Sequence, residues 1–170
     1  MVEKLLKFAV FSAVLSFNLR ISSAESKDQS IVKVYVGETD RQVHLVRRGG
    51  KDITIPKERD QASASSPRIA EDEQTAGWLI DYENCCTSYP IPLTLVIYRA
   101  GRIVRLRPGL MISAWRFLER GKKVAVSSGT VHGMTFQHLS LYDSRTGHLL
   151  KEWDGDFDEA APDWAKGLVR

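Results

Sequence analysis

From Ile31 onward the chain alternates short apolar runs with turn-forming residues, and the three-to-four-residue spacing of an amphipathic helix is scarce. Ile31 to Val36 (IVKVYV) and Gln42 to Val46 read as strands, and Gly49-Gly50 closes a hairpin onto Ile53-Thr54-Ile55. Further strands are predicted at Gly77 to Tyr82, Leu93 to Tyr98, Ile103 to Leu106, Ile112 to Phe117, Lys123 to Ser127, His138 to Tyr142 and His148 to Trp153. Lys57 to Ser66 (KERDQASASS) is small and polar, which predicts a surface loop. One short helix is expected after Pro162, around Trp164 to Leu168. The pattern therefore predicts an all-β chain with a short C-terminal helix.

The strands repeat. The hairpin VHLVRRGGKDITI (43–55) is similar to LVIYRAGRIVRL (95–106) and to LSLYDSRTGHLLKEW (139–153), with turn glycines at Gly50, Gly101 and Gly147. Upstream of the last two, PRIAEDEQTAGWLIDY (67–82) parallels AWRFLERGKKVAVSS (114–128). A period near 40–50 residues with four strands per unit is the signature of propeller blades. Ala114 to Gly155, with Y-D-x-x-T-G followed by K-E-W-D-G, resembles a WD-type β-propeller blade. The resemblance extends over about two and a half blades, residues 43–155, and implies architecture without chemistry. It divides the chain into N-terminal strands, hairpin and polar loop at 25–66, and two blade-like repeats with a tail at 67–170. Closed propellers use about four to eight blades. The expectation is therefore two four-stranded antiparallel sheets packed on each other like a sandwich, or a partial propeller completed by further copies.

The first residues follow another pattern. Lys4 and Lys7 precede a mostly apolar run from Phe8 to Leu19, and Ser22 with Ala24 fits the small-x-small rule of signal peptidase. The run is shorter than the roughly 20 residues a membrane span needs. Residues 1–24 are thus expected to be a signal peptide. The mature chain would start at Glu25, be secreted or periplasmic, and have no membrane span after cleavage. The leader holds two of the three net positive charges, so the mature chain is close to neutral. Net charge therefore argues against a nucleic-acid partner.

Export changes the meaning of the two cysteines, Cys85 and Cys86, which are adjacent in ENCCTSYPIP. In an oxidising compartment thiols tend to pair, and the chain has no third cysteine. The open readings are a strained vicinal disulfide, two bridges to another molecule, free thiols, soft-metal ligation, or one buried and one exposed thiol. His132 and His138 in TVHGMTFQH occupy the corresponding connection of the second repeat. Blade topology would bring them to the same end as the cysteines, where copper or zinc would suit such a set, although the spacing matches no standard metal motif. No cofactor is predicted beyond that option. Asp154, Asp156 and Asp158 in DGDFDE resemble the start of a calcium loop, but Glu159 stands where glycine is required and Ala165 where a bidentate glutamate is required. A solvated acidic turn is expected there.

Arg99, Arg102, Arg105 and Arg107 cluster on one hairpin, with Arg47 and Arg48 on the related one. Such a stripe suits phosphate or carboxylate groups, or simply a solvated strand face. No G-x-S-x-G elbow, phosphate-cradling loop or nucleotide fingerprint occurs. The sequence points to an exported, non-enzymatic module that binds a protein or envelope component, with Tyr89, Met134, Phe136, Arg105 and Arg107 as candidate contacts. The alternatives are a redox or metal-handling protein using Cys85 and Cys86, and an enzyme whose site forms between subunits.

Overall fold

The computed structural model of the chain describes residues 30–132, 136–156 and 159–168. The expected signal peptide at 1–24, and Met134, lie outside the described residues. The strands are β1 (Ile31–Val36), β2 (Val43–Arg47), β3 (Asp52–Ile55), β4 (Gln61–Ile69), β5 (Thr75–Tyr82), β6 (Ile91–Arg99), β7 (Arg102–Leu106), β8 (Met111–Leu118), β9 (Lys123–Gly129), β10 (Phe136–Asp143) and β11 (Leu149–Asp156). They form three antiparallel up-and-down sheets in chain order: β1-β2-β3, then β4-β5-β6-β7, then β8-β9-β10-β11. The fold is all-β, with two four-stranded sheets as the repeats implied and a three-stranded sheet before them.

The sheets stack face to face in that order. On one face of the middle sheet, Ala76, Trp78, Ile80, Val96 and Tyr98 pack against Ile31, Val43 and Leu45 of the N-terminal sheet. On its other face, Leu79, Leu95, Ile97 and Leu106 meet Ile112, Trp115, Val124 and Val126 of the C-terminal sheet. A strand covered on both sides has no solvent face to keep polar, so β5 and β6 are nearly continuous buried runs rather than alternating ones. Trp78 and Trp115 are each 2% exposed and anchor the two layers. Burying a large apolar side chain contributes about 1.5–3 kcal/mol.

The outermost faces end the stack in two different ways. On the N-terminal sheet, Tyr35 stacks on His44 at 4.9 Å, Lys33 sits over the Tyr35 ring, and Asp40 bonds the His44 ring at 2.9 Å. The Gln42 backbone amide, and then His44, hold the Asp40 carboxyl below its ordinary range. This face is polar and needs no cover. The C-terminal sheet instead presents Ala125, Leu139 and Leu141, which the tail covers with Ala165 and Leu168. The expected C-terminal helix is there as a single 3-10 turn, Asp163–Ala165.

Two local expectations fail. Lys57 to Ser66 is not a loop throughout, because β4 begins at Gln61. The reason is Asp81 on β5, only 7% exposed, which accepts hydrogen bonds from the Ser63 and Ser65 hydroxyls at 2.9 Å each. Small polar residues in β4 are what a buried carboxylate on the neighbouring strand requires. Pro67 is tolerated because β4 is an edge strand and the ladder is irregular between Ser65 and Arg68, where Ser66 adopts φ 49°. The acidic run also differs from expectation in its first part: Asp154 and Asp156 belong to β11 and not to a turn, while Asp158 lies outside the described residues.

Two tests follow from this packing. A Cβ on Gly77 would lie 2.8 Å from the Trp115 ring and 3.0 Å from the Val96 carbonyl oxygen. Gly77→Ala should therefore destabilise the fold by about 1–3 kcal/mol through overpacking, read as a lowered midpoint in urea. At the β10–β11 turn, Asp143 accepts from the Thr146 hydroxyl and from the Thr146 and Arg145 amides, which together hold its carboxyl below the ordinary range. A lowered folded-state value means the contribution is present above the unfolded carboxyl value of about 3.9 and is lost as pH falls through the folded one. Asp143→Ala should lower stability near neutral pH and flatten the acid limb of the stability profile, measured by thermal melts across pH 2–7.

Candidate binding site

The two ends of the stack differ in kind. At one end the strands are joined by tight turns at 48–51, 70–74, 100–101, 119–122 and 144–148. These turns grip one another: the Ser144 hydroxyl donates to the Gly121 carbonyl, and the Ser144 amide donates to the Lys122 carbonyl at 3.0 Å. A Cβ on Gly121 would meet Ala70 at 2.7 Å, and one on Gly147 would meet Val104 at 2.7 Å. Both glycines have positive φ, so close approach and backbone conformation coincide. The opposite end carries the connections at 37–42, 56–60, 83–90 and 107–110, together with the β9–β10 connection that starts at Thr130.

The candidate contacts fall at this second end. Cys85, Cys86 and Tyr89 lie in the β5–β6 connection, Arg107 follows β7, His132 lies in the β9–β10 connection and Phe136 is the first residue of β10. Tyr89 is 55% exposed and Phe136 39%. Arg105, on β7, projects to the side facing the N-terminal sheet, while Val104 and Leu106 pack toward the C-terminal sheet.

At the same end a cleft of about 270 Å³ opens between the first two sheets. Its walls are Val43 and Ile55 on one side and Trp78, Ile80 and Val96 on the other, with Lys57, Glu58 and Arg105 at its mouth. A second hollow of about 480 Å³ adjoins it, lined by Tyr82, Leu93, Thr94 and Arg107. Glu58 borders both hollows. Its carboxylate accepts from the Arg105 guanidinium, lies 3.7 Å from the Arg107 guanidinium, and accepts from the Tyr82 hydroxyl at 3.5 Å. Arg107 also donates to the Thr94 hydroxyl at 3.3 Å. Lys57, Arg59, Arg105 and Arg107 outnumber Glu58 and Asp60 around the two openings, so the rim is cationic over an apolar floor. A guanidinium fork suits carboxylate or phosphate geometry, and Glu58 already occupies part of it. A third hollow of about 310 Å³ sits at the turn end, bordered by Arg99, Arg102 and Arg145. Arg99 there is partly engaged by Asp72 at 3.5 Å.

The histidines do not join the cysteines. Among the described residues, no group of three or more His, Cys, Asp or Glu side chains comes together in a way that could hold a metal ion. His138 is occupied within its own sheet: Nδ1 lies 2.6 Å from Asp154, and Nε2 lies 3.0 Å from the Ser140 hydroxyl and 3.5 Å from Glu152. The row Ser140–His138–Asp154 has the connectivity of a nucleophile, base and orienting acid. Its setting does not fit that chemistry. Ser140 is 0% exposed on a central strand whose backbone is committed to β9 and β11, leaving neither an approach for a carbonyl nor free amides to receive an oxyanion. The row is a cross-strand polar ladder.

Glu58 and Ser140 are the site and near-site residues that sequence reasoning passed over, and Asp154 was considered only as part of an acidic turn. Glu58 lies 47 residues from Arg105, and no local spacing links them. Asp154 is opposite His138 only through the β10–β11 register. The chain matches no protein-family model and no curated protein.

Glu58 should matter to stability as well as to the site, because its side chain is only 17% exposed and balances two guanidinium groups. Glu58→Gln should cost about 1.5–3 kcal/mol, in the range of a hydrogen bond to a charged group, with a smaller loss in 1 M salt than in 50 mM salt. Chemical denaturation at the two salt concentrations measures both.

Proposed function

We propose that this chain is an exported, non-enzymatic binding module that engages a protein or envelope component through the end carrying its longer connections. The observation that carries the reading is the asymmetry of the stack. Tight interlocked turns close one end, whereas the other gathers exposed Tyr89 and Phe136, an apolar cleft and a cationic rim around Glu58. Loops set on a rigid scaffold are where binding residues usually reside, and exposed aromatic and arginine side chains are favoured anchors. The architecture reads as two and a half WD-type blades, supported by two consecutive four-stranded meanders preceded by a partial sheet. In a secreted or periplasmic setting the partner would be a soluble or envelope protein.

A photo-crosslinking residue placed at 89, 107 or 136 in the expressed full chain should give a discrete adduct in the secreted or periplasmic fraction. The same residue at 102 or 145, at the turn end, should give none. Equal adducts from both ends, or retention of the whole chain in the cytoplasm with residues 1–24 attached, would overturn the proposal.

A further inference from the structure

The connection between β5 and β6 places two sulfurs together where an extended chain would separate them. Successive side chains on a strand point to opposite faces, but Cys85 and Cys86 lie in a turned segment. Asn84 donates to the Thr87 hydroxyl at 3.3 Å, and that hydroxyl donates to the Tyr89 carbonyl at 2.6 Å, bracing the turn from within. The Sγ atoms of Cys85 and Cys86 are 2.7 Å apart, and both residues are exposed. That excludes an arrangement with one thiol packed inside as a small apolar group. With only two cysteines in the sequence, any intramolecular disulfide must join this pair.

We infer that Cys85 and Cys86 are a dithiol–disulfide couple whose substrate is a disulfide carried by a small thiol compound or a protein. The inference does not depend on the binding function proposed above. In the first step the Cys85 thiolate attacks one sulfur of R–S–S–R. A Cys85–S–S–R bond forms, the external S–S bond breaks, and the departing thiolate takes up a proton from solvent. In the second step Cys86 releases its proton to solvent and its sulfur attacks the Cys85 sulfur. The Cys85–Cys86 bond forms and the second thiolate leaves and is protonated. Two thiols are oxidised by two electrons and one external disulfide is reduced to two thiols; excess external thiol reverses both steps. The hydrogen bond to Cys85, and then the charge of Cys85, hold the Cys86 thiol above its ordinary range, which suits Cys86 to the second step. Consecutive Cα atoms are only about 3.8 Å apart, below the roughly 4.4–6.8 Å of ordinary disulfides. The ring is therefore strained, and strain keeps a disulfide exchangeable instead of permanent.

The test equilibrates the purified mature chain with glutathione at graded ratios of disulfide to thiol, quenches with acid, alkylates free thiols and reads intact mass. Two populations are expected, one doubly alkylated and one unalkylated and monomeric, exchanging as the ratio changes. Cys86→Ser should trap one glutathione on Cys85, and Cys85→Ser one on Cys86, because neither variant retains the second sulfur that releases it. Circular dichroism of both variants should match the parent, since the residues are exposed. Double alkylation at every ratio, a covalent dimer as the main oxidised form, or two glutathiones retained on the parent chain would each overturn the inference.

Discussion

The middle sheet has to be buried on both faces, and most of the structure follows from that requirement. Trp78 and Ile80 point one way from β5 while Leu79 points the other, so neither face can be left to water. A single partner sheet would leave one of these surfaces exposed. The three-stranded sheet before it and the four-stranded sheet after it supply the two covers, and each inherits an outer face of its own to settle. One is settled by polar side chains, with His44 between Asp40 and Asp52. The other is settled by folding the tail back so that Ala165 becomes fully buried. Gly77 marks how closely the layers approach, since the Trp115 ring takes the space a side chain would need.

Most of this was legible from local pattern. Turn glycines at Gly50, Gly101 and Gly147 all take positive φ, and the hairpins they close are the ones that the repeat defined. What pattern could not supply was the identity of strands made for a neighbour. Gln61 to Ser66 looks like solvent-exposed chain until Asp81 is seen across the ladder, asking for hydroxyl donors. Likewise Asp154 and Asp156 look like part of a turn until β11 is paired with β10 and Asp154 falls opposite His138. Both errors have one cause. Periodicity reports burial, whereas these residues answer to a polar partner fixed only by register.

The same limit applied to the site. Arg105, Arg107, Tyr89 and Phe136 were visible as residue types in a repeat, and the topology places them at one end. Glu58 was not visible, although it organises both arginines and the Tyr82 hydroxyl. A carboxylate already seated against guanidinium groups also occupies the position an anionic ligand would want. Any such ligand would have to displace Glu58 or bind beside it. Among the described residues Cys85, Cys86 and the histidines form no group that could hold a metal, and His138 is held within its own sheet by Asp154 and Ser140.

The tail that covers the last sheet also bears on how the chain counts. Repeated sheets have no inherent stopping point, since each new layer offers the next one the same apolar invitation. Here the count is written into a few residues around Ala165 and Leu168, which occupy the place a fourth sheet would take. Lengthening the stack would mean moving that cover to the new last layer, while the polar face around His44 closes the opposite direction. Among the described residues, then, one outer face is closed by packing and the other by hydrogen bonding, two unlike solutions to the same exposed-sheet problem.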